Sequence, residues 1–249
     1  MSAAIEIHGL SVSFPSRKRV VHAVRDLDLT IEAGSVFGFL GPNGAGKTTT
    51  IHVLLGFQRA TAGSAAIFGR PVSETMVRDR IGYLAENPDT YTFLTGQELL
   101  VLTGRLFRMG TAAIHRRADG LLETLGLSEA GSRRVGEYSR GMKQRLCMAQ
   151  SLMNDPDLLI LDEPTGGLDP MGRIEIRRII AERRALGKTV FFSSHELSEV
   201  ELVSDRIGIL VGGRLVAEGP VDQIVEPGGS LERRFIQLVE SESKSREAT

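Results

Sequence analysis

The stretch SVFGFLGPNGAGKT, residues 35–48, decides how this chain is read. A short apolar run enters a glycine loop, and the loop runs into a helical stretch predicted over about 47–56. Gly41 through Thr48 match the pattern G-x-x-x-x-G-K-[ST], in which glycines let consecutive backbone N–H groups face a phosphate. Gly41, Asn43, Gly44, Ala45 and Gly46 form that cradle, Lys47 reaches the β and γ phosphates, Thr48 binds Mg²⁺ and Thr49 faces the α phosphate. A glycine turn can arise by chance, but strand, loop and helix in this order are what a phosphate-binding turn needs.

Upstream, IEIHGLSVSF (5–14) and VVHAVRDLDLTIEAG (20–34) alternate apolar and polar residues and predict an N-terminal antiparallel β region. Downstream, GSAAIFG (63–69) and IGYLAE (81–86) read as strands, the second ending in the loop NPDTYTF (87–93). The text then turns helical. TGQE (95–98) is a capping box with Thr95 at the cap and Glu98 three residues on, and Gly126 stops a later helix, so residues of about 90–153 are expected to form a helical insertion. DLLILDEP (157–164) and KTVFFSSH (188–195) are buried strands flanking a helix that opens near Pro170 and closes at Gly187. Alternating strands and helices imply an α/β fold with a mostly parallel sheet. RIGILVGGRLVAEG (206–219) is a hairpin turning at Gly212 and Gly213, SLERRFIQLVE (230–240) a short amphipathic helix, and SESKSREAT (241–249) a solvated tail. This divides the chain into one domain over 1–219 and a short C-terminal element over 220–249.

Composition narrows the function classes. The 249 residues carry 30 Lys+Arg against 31 Asp+Glu, so no net charge draws the chain to nucleic acid or an anionic membrane surface. Cys147 is the single cysteine; its setting QRLCMAQSL predicts a small core residue, and its solitude excludes an internal disulfide. No apolar run reaches the roughly 20 residues of a membrane span, and MSAAIEIHGLSVSF lacks a signal-peptide pattern, so a cytoplasmic chain is expected.

Two further strand ends carry chemistry. LLILDEP delivers Asp162 and Glu163 to the edge where open α/β sheets bind ligands. Asp162 is predicted to hold Mg²⁺ and Glu163 to act as general base toward water. His195 follows FFSS at the same edge, where a γ phosphate would lie; His8, His22, His52 and His115 have no partner at metal-ligand spacing and receive no role. A second anion-holding helix start is YSRGMKQRL (138–146), in which Met142, Leu146, Ala149 and Met153 form one apolar, core-facing stripe.

The ordered set GPNGAGKT, YSRGMKQRL, LDEP, GGLDP and His195 resembles the ATP-binding subunits of ABC transporters over about residues 4–219. The resemblance implies a P-loop ATPase core using ATP and Mg²⁺, working as a head-to-tail dimer with a second copy and driving a separate integral membrane permease. It places the chain on the inner face of the membrane. Ser139 and Gly141 would then contact the partner's ATP, and Asp169 of GGLDP would lie in the loop that couples the two sites. The sequence departs from the family at three places. Arg140 stands where a glycine is usual. Glu86 replaces the usual glutamine that contacts Mg²⁺ and water; an ionised carboxylate can ligate the ion but cannot donate a hydrogen bond to the water. Phe14 stands for the tyrosine that stacks on adenine, and could equally be a core residue. Within the family the motifs look most like drug, antibiotic or lipid-linked polysaccharide exporters, with an importer subunit as the nearer alternative. A soluble ABC ATPase acting on nucleic acid or ribosomes, and a GTPase switch, are the rivals from other classes; the chain has neither a second cassette nor an Asn-Lys-x-Asp motif.

Overall fold

The computed structural model describes residues 2–15, 20–88, 90–225 and 229–247. Strands β1 (Ala3–Pro15) and β2 (Val20–Glu32) pair antiparallel, and β4 (Ala62–Ile67) and β5 (Arg70–Pro71) complete a four-stranded sheet in the order β2-β1-β4-β5. The alternation in β2 is realised: Leu27, Leu29 and Ile31 are buried and their neighbours are exposed.

A six-stranded sheet has the order β10-β9-β3-β8-β7-β6, built from β3 (Val36–Leu40), β6 (Ile81–Leu84), β7 (Leu158–Asp162), β8 (Thr189–Ser194), β9 (Arg206–Val211) and β10 (Arg214–Pro220). All pairings are parallel except the β9–β10 hairpin, which turns at Gly212 and Gly213 with φ of 53° and 86°. The sheet is buried on both faces, as covered parallel sheets are. Phe37, Phe39, Leu158, Ile160 and Phe191 face the antiparallel sheet and α1 (Lys47–Leu54), while Val36, Leu40, Leu159, Leu161 and Phe192 face the remaining helices.

Helices α2 (Gly96–Leu106), α3 (Thr111–Thr124) and α4 (Arg140–Ser151) lie between β6 and β7 in the chain. The capping box closes at both ends: Glu98 N–H donates to Thr95 Oγ1 at 3.1 Å, and Thr95 N–H to Glu98 Oε2 at 2.8 Å. Gly126 follows α3 with φ 62°. Leu146, Ala149 and Met153 are fully buried and Met142 packs beside them, so the apolar stripe is core. Cys147 is buried too, and burial pushes its thiol up to about 11. Helices α5 (Pro170–Ala185), α6 (Leu197–Val203) and α7 (Val221–Ile224) cover the same sheet face.

One expectation needs correction. The C-terminal helix does not stop near Glu240: α8 runs Leu231–Glu247, through most of the stretch read as a solvated tail. Leu231 is buried, and Phe235, Leu238 and Val239 pack against the core, anchoring the first turns. Beyond them the sequence holds no glycine or proline before Ala248 to end the helix, so the backbone continues. Ala248 and Thr249 lie outside the described residues.

Candidate nucleotide site

The glycine loop is wedged between the two sheets. A Cβ at Gly41 would come within 2.3 Å of the Leu210 carbonyl oxygen on β9, and one at Gly46 within 2.3 Å of the Ala23 carbonyl oxygen on β2. Gly46 also needs its φ of +111°, a region that L side chains rarely adopt. Gly213 N–H donates to Ala45 O at 2.8 Å, and Arg25 N–H to Gly213 O at 2.7 Å, tying hairpin, loop and β2 together. No side chain caps the N-terminus of α1 at Gly46, so its first N–H groups remain for an outside acceptor. Asn43 and Gly44 are exposed at the mouth, and Thr48 and Thr49 are half-buried.

Lys47 folds back over this loop. Its ammonium donates to Gly41 O at 2.7 Å and lies 3.2 Å from Glu163 Oε1, with the two side chains only 6% and 9% exposed. The other carboxylate oxygen, Oε2, accepts from the His195 backbone N–H at 3.2 Å and sits 2.7 Å from His195 Nδ1. An ionised carboxylate only accepts, so Nδ1 carries the proton in this pair. In the neutral ring Nε2 is then an acceptor, on a side chain 51% exposed. Glu163 itself has φ 50°, a left-handed conformation that costs a non-glycine residue about 1–2 kcal/mol. It is held there by Lys47, His195 and Ser193 together.

Asp162 is buried beside them. Thr48 Oγ1 donates to Asp162 Oδ1 at 3.3 Å, and Ser193 Oγ donates to the same oxygen at 2.5 Å. A hydroxyl and a carboxylate this close are the hard oxygen donors that Mg²⁺ prefers, and the uncapped α1 N-terminus above them suits phosphate, so the residues fit both groups. Among the described residues no cluster of three or more His, Cys, Asp or Glu is arranged to hold a metal on protein ligands alone.

The predicted residues do not all meet here. Ser139, Gly141 and Asp169 line a separate cavity of 570 Å³ with Arg145, Gly167 and Met171. In it Ser139 Oγ caps α4 by accepting from Met142 N–H at 3.3 Å, and Asp169 caps α5 by accepting from Gly172 N–H at 2.7 Å. Glu86 is exposed just past β6, where its charge, after burial and Asp162, helps push the Tyr83 hydroxyl up to about 12. Phe14 is 38% exposed and pairs with Val21, two residues before the Ala23 carbonyl that pinches the loop.

Two residues escaped the sequence reading. Ser193, fully buried, donates to Asp162 and accepts from Glu163 N–H at 3.0 Å, fixing both acids. The register places it opposite Asp162 across parallel strands, which the adjacent serines in the sequence do not mark. Gln144 donates to Pro164 O at 2.6 Å and binds α4 to the acidic strand end. The clue was a polar residue one turn before Cys147 and Met148, on the buried side of the helix.

Comparison with known proteins gives the family and the fold. The family model described as ABC transporter matches residues 24–166. An ABC transporter ATP-binding protein of Nostoc sp. (strain PCC 7120) is 46% identical over 207 residues, 82% of this chain and 62% of the relative; the chain thus spans less than two thirds of that protein. The fluoroquinolones export ATP-binding protein of Mycobacterium tuberculosis (strain CDC 1551) is 40% identical over 215 residues, 86% of this chain and 69% of that one. A solved ATP-binding subunit of an ABC transporter superposes with a TM-score of 0.87 at 29% identity, covering 94% of this chain and 99% of its own. The chain therefore belongs to the ABC transporter family and has the fold of its ATPase cassette.

Proposed function

We propose that this chain binds ATP with Mg²⁺, hydrolyses it, and so powers a separate membrane permease that exports a drug, antibiotic or other small or lipid-like molecule. The observation that carries the reading is Glu163, a buried carboxylate gripped by Lys47 and His195 at the strand edge beside an uncapped glycine cradle. Lys47 and the N–H groups from Gly41 to Thr49 hold the phosphates, and Phe14 offers its exposed ring to adenine. Thr48 and Asp162 would hold Mg²⁺, and Glu86, from the loop after β6, would supply a further oxygen ligand. Bound there, the ion would neutralise charge on the β and γ phosphates. Glu163 takes the proton of the attacking water, and His195 aligns Glu163 and the γ phosphate. Ser139 and Gly141 serve the nucleotide of a second copy in a head-to-tail dimer, with Asp169 in the loop between the sites.

Among the described residues no helix is long and apolar enough to cross a membrane, which is consistent with cargo passage through another chain. Residues 1–219 form the ATPase domain, with 90–153 as its helical insertion and 220–249 as an appendage. The likeness to an exporter subunit supports the direction of transport. The test is Glu163→Gln. It should lower turnover on the order of 10²- to 10⁴-fold while ATP binding persists, and it should trap a dimer visible by light scattering with ATP and Mg²⁺. A variant that hydrolyses ATP at the normal rate would falsify the assignment.

A further inference from the structure

Helix α5 begins at the GGLDP loop, where Asp169 is its cap, and then runs alongside the segment that follows His195. Arg173, Arg177 and Arg184 recur one and then two turns apart, so they share one face of α5. Each pairs with a carboxylate on the His195 segment: Arg173 with Glu196, Arg177 with Glu199 at 3.6 Å, and Arg184 with Asp205. Arg173 is the rung nearest the chemistry. Its Nη1 meets Glu196, the residue after His195, while its Nε donates to Leu168 O inside the GGLDP loop at 3.4 Å. Glu196 N–H is fixed in turn on Ser194 Oγ at 2.9 Å, and His195 N–H on Glu163.

We infer that Arg173 is a positioning residue: with Glu196 it forms a strut that makes the GGLDP loop and the His195 segment move as one body. This deepens, and rests on, the reading of the site as half of a two-nucleotide dimer. A planar guanidinium suits the task because its donors point in fixed directions, one to a carbonyl and one to a carboxylate. The pair is partly exposed, so its value lies in geometry and not in net stability. The next rung is incompletely bonded. Glu199 is buried, yet its Oε2 has no hydrogen-bond partner among the described residues. A Cβ at Gly167 would come within 2.6 Å of the Arg140 guanidinium, so the loop also lies against the first residue of α4. Closure over the second site would therefore be felt at Glu163 of the first through Leu168, Arg173, Glu196 and His195.

The experiment measures ATP hydrolysis against ATP concentration for the full chain, for Arg173→Met, Arg173→Lys, and the exchange Arg173→Glu with Glu196→Arg, alongside binding of a fluorescent ATP analogue. Arg173→Met should bind the analogue normally, lose roughly tenfold in kcat, and drop the Hill coefficient from about two to about one. Arg173→Lys should fall between, and the exchange should restore part of the cooperativity. A normal Hill coefficient in a slowed Arg173→Met would overturn the strut. So would a loss of analogue binding that the exchange fails to mend, since that pattern belongs to a merely structural residue. If the unsubstituted chain turns over no ATP, the functional reading falls first and the strut with it, a result recognisable before any variant is made.

Discussion

Helices α1 and α4 both start at a small residue and face an anion-sized space, but they are finished differently. At α1 the N-terminal N–H groups have no side-chain cap, and the cationic Lys47 already lies in the loop. At α4 the Ser139 hydroxyl turns inward and caps its own helix, and the cation nearby, Arg140, rests over Gly167. The first end is ready for a phosphate within one chain. At the second, Ser139 Oγ already accepts from Met142 N–H, which leaves its own O–H as the donor for an anion. That difference accords with the proposal that the second end serves the nucleotide of a second copy.

The largest expected effect breaks the first end. Lys47→Met should weaken ATP binding on the order of 10²-fold, because a charge-assisted contact is lost, and it leaves Glu163 as a buried charge without its cation. Titration of a fluorescent ATP analogue checks it. Ser139→Ala should behave differently: binding to the isolated chain stays the same, turnover falls roughly tenfold, and folding stability drops by about 1 kcal/mol through the lost cap. Should Ser139→Ala weaken ATP binding by the isolated chain as much as Lys47→Met does, the two ends are not distinct in the way described.

The smallest effect concerns how each end is anchored. Backbone carbonyls pin the α1 loop, whereas beyond α4 the chain is fastened by Asp155, which meets Arg117, Arg183 and Lys188. Partial burial opposes ionisation of Asp155, but the hydrogen bond from Arg183 and the neighbouring charges prevail and hold its carboxyl below the usual range. A depressed carboxylate stabilises the fold fully above its unfolded pKa of about 3.9 and loses that contribution as pH falls through the lower, folded value. Acid should therefore loosen residues 140–155 before residues 36–50. Hydrogen exchange of those peptides near pH 3 would show the order, and simultaneous loosening would count against it.

Much of this was legible in the sequence, for physical reasons that differ by residue. Asp162, Glu163 and His195 sit at the ends of apolar strands and Lys47 follows the glycine loop that leaves another, and parallel strands bring their ends to one edge, so order along the chain was enough to assemble them. Ser193 was harder, since nothing local marks one of two adjacent serines as the one facing Asp162. The pinch by Ala23 and Leu210 was not readable at all. Main-chain carbonyls carry no residue identity, and the only trace they leave is a glycine that the phosphate pattern already explains. The length of α8 was missed because polar helix formers beyond a buried anchor look the same as a coil.

Those pinched glycines separate two kinds of selection. Gly41 and Gly46 answer to neighbouring main chain, so a library screened only for folded protein would still reject alanine at both. Gly44 meets nothing within 4 Å and is constrained only by its φ of +76°. Asparagine, which tolerates that conformation, would pass a folding screen there and be removed only when nucleotide binding is demanded. Two glycines of the motif thus record the history of the fold, and the third records the history of its ligand.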